Sequence, residues 1–281
     1  MVTDFLDTAI LLNSGRNCLR YIVKAYNIRE IFIPFYICPV VWQELRKENV
    51  KIKFYHIDQN FMPLETFPLD AYILYPNYFG ICSKQVEFLA QRYENLILDN
   101  ALAFFSEPEG LATFYSPRKF FDVNDGGILF VDKKLPDNFE QDEDRFCEIN
   151  DYNSFCTNEL SIDNQPIKKM SLKTYATLKQ INFAQEKQKR IKMFFSFHKY
   201  FAKNNSLKIN LTEKDIPYQY PLLSCNVEKI VDFFDKNNIY LIKYGTNLPK
   251  YFPEYKFVKN LLLIPMNENN LNLILDYVAN S

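Results

Sequence analysis

Short apolar runs alternate with helical stretches through the first hundred residues of the chain. Two of the intervening stretches, at residues 39–49 and 86–92, carry apolar side chains at helical spacing. An alternation of this kind is typical of βαβ units, which build a mainly parallel sheet covered by helices on both faces. We therefore predict an α/β fold, with strands at residues 30–33, 51–57, 71–75 and 95–98.

The second half of the sequence has a different character. Residues 132–167 are acidic and polar with little periodicity, and we predict a long irregular crossing there. Residues 168–204 contain neither proline nor glycine, which predicts one or two long helices. A small α+β unit follows, with predicted strands at 220–225, 239–243 and 260–264 and predicted helices at 227–236 and 270–278. These patterns predict a large domain at residues 1–204 and a small one at residues 205–281.

Composition argues against several classes of function. The 33 basic and 34 acidic residues nearly cancel, and no basic stripe supplies a nucleic-acid surface. No stretch approaches the roughly 18 consecutive apolar residues of a membrane span. Six scattered cysteines without a CxxC pair, and only two histidines, argue against a metal site. Residues 1–13 carry acids ahead of an apolar stretch and make a poor signal peptide, so we expect a cytoplasmic protein with reduced thiols.

Glycine is scarce, with six in 281 residues, so each is expected at a backbone position that needs it. Gly15 lies in the sequence Asn-Ser-Gly-Arg-Asn at residues 13–17, directly before an amphipathic helix pattern. A helix N-terminus presents free amide groups and the positive end of the helix dipole, which suit a phosphate. An ordinary helix cap is the alternative interpretation of this turn.

Asp99 directly follows the predicted strand at residues 95–98. Ligands of open α/β sheets bind outside the carboxyl ends of the strands, so a carboxylate at this position would meet a bound ligand. It would hold a pyridine nitrogen protonated and make the ring a better electron sink. The alternative is an aspartate that caps the following turn.

Lys119 lies in the sequence Tyr-Ser-Pro-Arg-Lys-Phe-Phe at residues 115–121, followed by Gly126, Gly127 and an apolar strand pattern. A lysine that forms a Schiff base needs a lowered amine pKa, which desolvation or a nearby cation provides. The aromatic neighbours and Arg118 would supply both. The alternative is a solvated pair of basic residues.

In this order, the motifs resemble those of the pyridoxal 5'-phosphate (PLP)-dependent aminotransferases of fold type I. Within that class the chain resembles the DegT/StrS family of sugar aminotransferases. The most specific segment is SPRKFFDVNDGG at residues 116–127, in which two glycines and a strand closely follow a lysine. The likeness extends through SGR (14–16), IPFYIC (33–38), NYFG (77–80) and LILDNALA (96–103), and more weakly through residues 244–249 and 261–268.

The resemblance implies an aspartate-aminotransferase-like fold, PLP as the cofactor and a role for each matching residue. Lys119 would bind PLP covalently and later move a proton between the substrate carbon and the cofactor. Asp99 would pair with the pyridine nitrogen. Ser116 and the amides around Gly15 and Arg16 would hold the phosphate.

The resemblance implies roles for two further residues, and the chain differs from the family pattern at two places. Asn77 would hydrogen-bond the 3-hydroxyl of the ring. The usual aromatic position of the family falls at Cys38, which is not aromatic. The nearby Tyr36 would therefore stack on the ring instead. Leu102 stands where the family commonly has a polar side chain, often glutamine. The segment before the glycine turn is shorter than in typical members, so the resemblance leaves open whether that arm contacts a nucleotide sugar.

The implied activity is transfer of an amino group from an amino acid, with glutamate as the expected donor, to a keto-sugar or related carbonyl compound in surface-polysaccharide biosynthesis. The alternatives are a PLP-dependent lyase or decarboxylase, a binding protein without turnover, and an α/β protein without PLP. The implied partners are small molecules and a second copy of the chain, because the cofactor of this fold lies at a subunit boundary. Residues 151–158, which lack periodicity, are predicted to cross to that partner.

Overall fold

The computed structural model describes residues 2–144, 152–239, 241, 244–245 and 248–279 of the chain. Its strands are β1 (Ile10–Leu12), β2 (Glu30–Pro34), β3 (Lys51–Tyr55), β4 (Ile73–Pro76), β5 (Leu96–Asp99), β6 (Ala112–Tyr115), β7 (Gly127–Val131), β8 (Tyr220–Leu223) and β9 (Leu261–Ile264). Its helices are α1 (Val2–Thr8), α2 (Gly15–Tyr26), α3 (Pro39–Lys47), α4 (Ser83–Arg92), α5 (Tyr152–Ile162), α6 (Leu172–Gln180), α7 (Phe183–Phe201), α8 (Val227–Lys236), α9 (Tyr255–Asn260) and α10 (Glu268–Ala279). Among the described helices, none is long and apolar enough to cross a membrane.

The first seven strands form one sheet in the order β1-β7-β6-β5-β4-β2-β3. The strands from β2 to β6 pair in parallel, while β7 runs antiparallel to both of its neighbours, β6 and β1. Pro76 pairs with Asp99, and Asp99 with Phe114, so the carboxyl ends of β4, β5 and β6 meet at one edge. The predicted α/β class with a mainly parallel sheet is confirmed.

The central strands are buried on both faces of the sheet. All four residues of β4 and of β5 are buried, which explains why both strands appear in the sequence as continuous apolar runs. Their side chains alternate between two cores, as the strand repeat requires. Leu74 and Ile97 belong to the core that α2 and α3 cover, whereas Tyr75 and Leu98 belong to the core on the side of α4.

A second sheet pairs β8 with β9 in antiparallel register. It shares a core with α7, α8 and α10, to which Phe197, Phe234 and Ile274 contribute. The first residue of α7, Phe183, lies in another core beside β6 and β7, so this helix connects the two parts of the molecule. The division of the chain between residues 204 and 205 stays a prediction.

Most predicted elements are present, with ends shifted by a few residues, and residues 168–204 form α6 and α7. The predicted irregular crossing at residues 132–167 was wrong in part, because it contains α5. Among the side chains of this helix whose burial is described, Asn158 and Ile162 are buried and Leu160 is exposed, so burial there does not follow hydrophobicity. The predicted strand at residues 239–243 includes residues 240, 242 and 243, which lie outside the described residues.

Gly127 begins β7 where the strand passes close to the start of α2. A Cβ atom at this position would overlap the carbonyl group of Ser14 and lie 2.6 Å from Sγ of Cys18. The preceding Gly126 has φ of 110°, in the region that favours glycine, and its amide donates to the carbonyl oxygen of Asn13. The glycine pair therefore fixes the first turn of α2 against the sheet.

Replacing Gly127 by alanine is expected to lower the free energy of unfolding by about 1–3 kcal/mol, because the backbone of Ser14 must shift. Urea unfolding of the purified variant measures the loss. The matched control is Gly15→Ala, whose new Cβ would meet its nearest neighbour at an ordinary 3.7 Å. Equal losses in the two variants would show that the close approach at Gly127 does not determine stability.

Candidate functional site

A pocket lies at the edge of the sheet where β4, β5 and β6 end. In parallel sheets this edge collects the residues that follow each strand, which places side chains distant in sequence beside one another. The walls include Arg118, Glu159 and Tyr244, together with the apolar side chains of Val40, Leu102 and Phe114. Of the seven predicted site residues, six line this pocket: Gly15, Arg16, Asn77, Asp99, Ser116 and Lys119.

Asp99 ends β5 and is buried in the pocket wall. One carboxylate oxygen, Oδ1, accepts a hydrogen bond of 2.9 Å from the amide of Ala101. Burial raises the pKa of Asp99 to about 6, against the opposing effects of that hydrogen bond and of Lys119. A cation placed against Asp99 would lower this pKa again by stabilising the carboxylate, so the pocket favours a positively charged group there.

Lys119 ends the short 3₁₀ turn Pro117–Lys119 that follows β6, and its amide donates to the carbonyl oxygen of Ser116. Burial lowers the pKa of its amine, and the charge of Arg118 lowers it further. Cys38, Glu159 and Asp99 act in the opposite direction without reversing the shift. The amine therefore loses its proton more readily than an exposed lysine, which makes it a better nucleophile.

The N-terminus of α2 forms another part of the wall. Ser14 is the N-cap, and its Oγ accepts from the amide of Asn17 at 3.2 Å. A Cβ atom on Gly15 would lie 3.7 Å from Cβ of Ser116, so this helix end and the turn after β6 are adjacent. Ser116 makes no capping bond to its own turn. The helix dipole and a nearby hydroxyl form a suitable site for an anion.

Arg16, Arg118 and Glu159 form an ion-pair cluster on the pocket wall that sequence reasoning missed. Nη2 of Arg16 lies 2.7 Å from Oε2 of Glu159, and Nη1 of Arg118 pairs with Oε1 of the same carboxylate. Glu159 belongs to α5, the helix that the hydrophobic pattern did not reveal. No local sequence signal marks it, because it is separated from Arg16 by 143 positions.

Tyr36 lies behind the pocket instead of on its wall. It is fully buried, with ring centroids 5.2 Å from Tyr244 and 5.4 Å from Phe257. Cys38 and Tyr244 line the pocket, and the amide of Cys38 donates to the hydroxyl of Tyr244 at 3.3 Å. The position of Tyr36 does not favour the predicted ring stacking, which stays a prediction.

Asn77 follows β4 and holds the neighbouring loops together. Its Nδ2 donates to Oγ of Ser106 at 3.1 Å, and its Oδ1 accepts from the amide of Cys82 at 3.3 Å. A side-chain amide has two N–H donors and two acceptor sites, so each end keeps capacity for one more partner. Its predicted hydrogen bond to a ligand hydroxyl is compatible with these contacts.

Arg190 of α7 reaches the turn that carries Lys119. Its Nη1 donates to the carbonyl oxygen of Tyr218 at 2.9 Å, and its Nη2 donates to that of Phe120 at 3.3 Å. The guanidinium carbon lies 4.7 Å from the ring centroid of Phe120. The residue after Lys119 is therefore held by the helix that leads into the second sheet.

No protein-family model and no curated protein matches the chain by sequence. Among solved structures, it superposes on a DegT DnrJ EryC1 StrS aminotransferase from Brucella abortus with a TM-score of 0.66 and 13% identity, covering 99% of this chain and 87% of the other. The chain has the fold of these aminotransferases.

Further solved structures share this aminotransferase fold. PseC from Helicobacter pylori, an aminotransferase involved in the biosynthesis of pseudoaminic acid, matches with a TM-score of 0.67 and 14% identity over 99% of this chain and 88% of that one. The sugar aminotransferase CalS13 from Micromonospora echinospora matches with a TM-score of 0.64 and 10% identity over 100% and 91%. At these identities the likeness establishes the fold, and the predicted aspartate-aminotransferase-like architecture is confirmed.

Proposed function

We propose that the protein is a PLP-dependent aminotransferase that moves an amino group from an amino acid, with glutamate as the donor, to a keto-sugar or related carbonyl compound. The observation that carries this proposal is the convergence of Lys119 and Asp99 on one pocket beside the N-terminus of α2. The fold is that of aminotransferases, and one relative of that fold, Spr1654 from Streptococcus pneumoniae, was solved in a PLP form.

The chemistry of the pocket fits PLP at three points. Asp99 is a carboxylate whose pKa is raised by burial, and a protonated pyridine nitrogen would be a cationic partner for it. Ser116 and the helix end at Gly15 would hold the phosphate, a dianion that suits a helix N-terminus. Lys119 lines the same pocket and would be the covalent attachment point. Within the described part of the chain, no group of histidine, cysteine and acidic side chains is arranged as metal ligands.

The residues of the chain would divide the work of the reaction. PLP, when bound, supplies an electron sink for the bond that breaks at the amino-bearing carbon. Lys119, with its lowered pKa, would hold the cofactor covalently and would later take and return the proton at that carbon. Asp99 would keep a positive charge on the ring nitrogen. The side chains of Val40, Leu102 and Phe114 would limit the access of water.

A spectral test separates this proposal from other PLP chemistry. Purified protein loaded with PLP should show a cofactor absorbance band at the edge of the visible range. Addition of L-glutamate should bleach that band and release 2-oxoglutarate, and a keto-sugar acceptor should restore it. Release of carbon dioxide would instead indicate a decarboxylase, and an unchanged spectrum would indicate a protein that binds PLP without turnover.

We further propose a homodimer that acts in the cytoplasm. Large apolar side chains such as Leu160 and Leu172 are exposed in the single chain and would gain from a subunit interface. Cys18, Cys38, Cys82 and Cys225 are free thiols, which suits a reducing compartment. Within this segment, Nδ2 of Asn158 donates to the carbonyl oxygen of Asn124 of the same chain, and the predicted crossing of residues 151–158 to the partner stays a prediction. Light scattering of the PLP-loaded protein would measure the oligomeric state.

A further inference from the structure

Two buried guanidinium groups share one carboxylate on the wall of the pocket. The side chains of Arg16 and Arg118 are 11% and 8% exposed, whereas that of Glu159, between them, is 23% exposed. Nη1 of Arg16 also donates to the backbone carbonyl oxygen of Glu159 at 3.1 Å. The cluster therefore keeps a net positive charge in a place where that charge is poorly solvated.

Arg118 retains unused hydrogen-bonding capacity. Its Nε is buried and has no partner among the described residues, although a buried donor of this kind is normally satisfied. A guanidinium carries five N–H donors in a planar fork that matches a carboxylate. Arg118 precedes Lys119 directly, and both side chains line the same pocket. An anion held by Arg118 would thus lie beside the reacting amine.

We propose that the guanidinium groups of Arg16 and Arg118 form the binding site for a carboxylate of the amino donor, and that Glu159 occupies this site until the donor displaces it. This inference rests on the proposed aminotransferase function and names the recognition element for its dicarboxylic donor. The amide of Arg16 stays assigned to the cofactor phosphate, and the inference concerns its side chain only.

The exchange is physically balanced because one carboxylate replaces another. Removing Glu159 alone would leave two buried cations without a counter-ion, which costs several kcal/mol. A donor carboxylate that pairs with the same guanidinium groups avoids this cost, whereas a neutral ligand does not. The partly exposed Glu159 is the member of the cluster with the easiest route to water. The arrangement therefore selects for an anionic donor.

Calorimetric titration with glutarate tests the inference, because this dicarboxylate lacks the amino group and is not turned over. In the PLP-loaded protein, Arg118→Gln and Arg16→Gln are each expected to weaken glutarate binding about tenfold or more, since each removes a charge-assisted pair. Glu159→Gln is expected to tighten binding about tenfold, because the internal competitor loses its charge. The milder Arg118→Lys keeps the charge but not the fork, and an intermediate affinity is expected.

The direction of the change in glutarate affinity in Glu159→Gln shows whether Glu159 occupies the carboxylate site or only positions the two arginines. Weaker glutarate binding in Glu159→Gln would mean that Glu159 only positions the two arginines, and it would overturn the inference. Unchanged affinity in Arg118→Gln would overturn it as well. The matched control is Lys168→Gln, which removes a partly buried cation that pairs with Asp142; neither residue lines the pocket, and the titration should not change.

A second readout separates the carboxylate from a phosphate. If Arg118→Gln loses bound PLP, seen as loss of the cofactor absorbance band, and inorganic phosphate binds the PLP-free wild type through Arg118, the cluster serves the cofactor and the inference fails. The same band in the wild type tests the proposed function independently. Its absence would refute PLP binding, whereas a normal band with glutarate affinity unaffected by Arg118→Gln would refute only the carboxylate site.

Discussion

Lys119→Ala is expected to abolish transamination while the protein stays folded. Alanine has no amine to bind the cofactor or to move a proton at the substrate carbon, and both roles are assigned to this side chain. The hydrogen bond from the amide of residue 119 to the carbonyl oxygen of Ser116 involves only the backbone, so it survives the substitution. Turnover with glutamate and the covalent attachment of PLP should both be lost, and circular dichroism should be unchanged.

Borohydride reduction of the PLP-loaded wild type, followed by peptide mapping, identifies the attachment point directly. The label is expected on Lys119. The control is Lys168→Ala, which removes another partly buried lysine, one that pairs with Asp142 and does not line the pocket. A label on any other lysine, or appreciable turnover by Lys119→Ala, would refute the assignment.

Asp99→Asn is expected to lower turnover by several orders of magnitude without loss of the fold. Asparagine preserves the size of the side chain, and its Oδ1 still accepts from the amide of Ala101. What is lost is the negative charge that keeps a ring nitrogen protonated and the ring electron-poor. Steady-state kinetics under saturating PLP measure the effect. Near-normal turnover would show that Asp99 only caps the turn after β5.

Although Asp99→Asn lowers turnover, it should raise the stability of the cofactor-free protein. The pKa of Asp99 rises from 3.8 to about 6 on folding, chiefly through burial. The folded state thus favours the protonated acid, and this contribution is present below pH 4 and is lost as the pH rises through about 6. Asp99→Asn should therefore stabilise the cofactor-free protein by up to about 3 kcal/mol at pH 7.5 and by little at pH 4. Urea unfolding at the two pH values measures the difference.

The sequence was informative wherever burial imposes a simple pattern. Strands β4 and β5 lie between two helical layers, so their apolar runs predicted them, and the edge where they end predicted the place of Asp99. The glycine turn before α2 and the lysine after β6 were recognisable because the short motifs around them, taken together, resemble those of a known family. These features together indicated the fold and one end of the pocket.

Contacts between distant segments could not be predicted in this way. Glu159 joins the pocket through α5, where it pairs with Arg118, a residue 41 positions away, and no local pattern in the sequence indicates this contact. Tyr36 was predicted on the wall because the sequence shows its spacing from Cys38 but not the direction of its ring. In the structure Tyr36 packs against Tyr244 and Phe257, more than 200 positions away. A single sequence contains no signal for such pairs.

The hydrogen bond from Arg190 to the carbonyl oxygen of Phe120 couples the turn that carries Lys119 to the second sheet. Helix α7 packs into the core of the second sheet through Phe194, Phe197 and Phe201. Arg190 of the same helix binds the backbone one residue beyond Lys119. A rigid helix transmits rotation along its whole length, so any swing of the second sheet relative to the first must either carry the lysine turn with it or break this bond. The orientation of the reacting amine of Lys119 therefore depends on the position of the second sheet, a part of the chain that contributes little to the pocket wall.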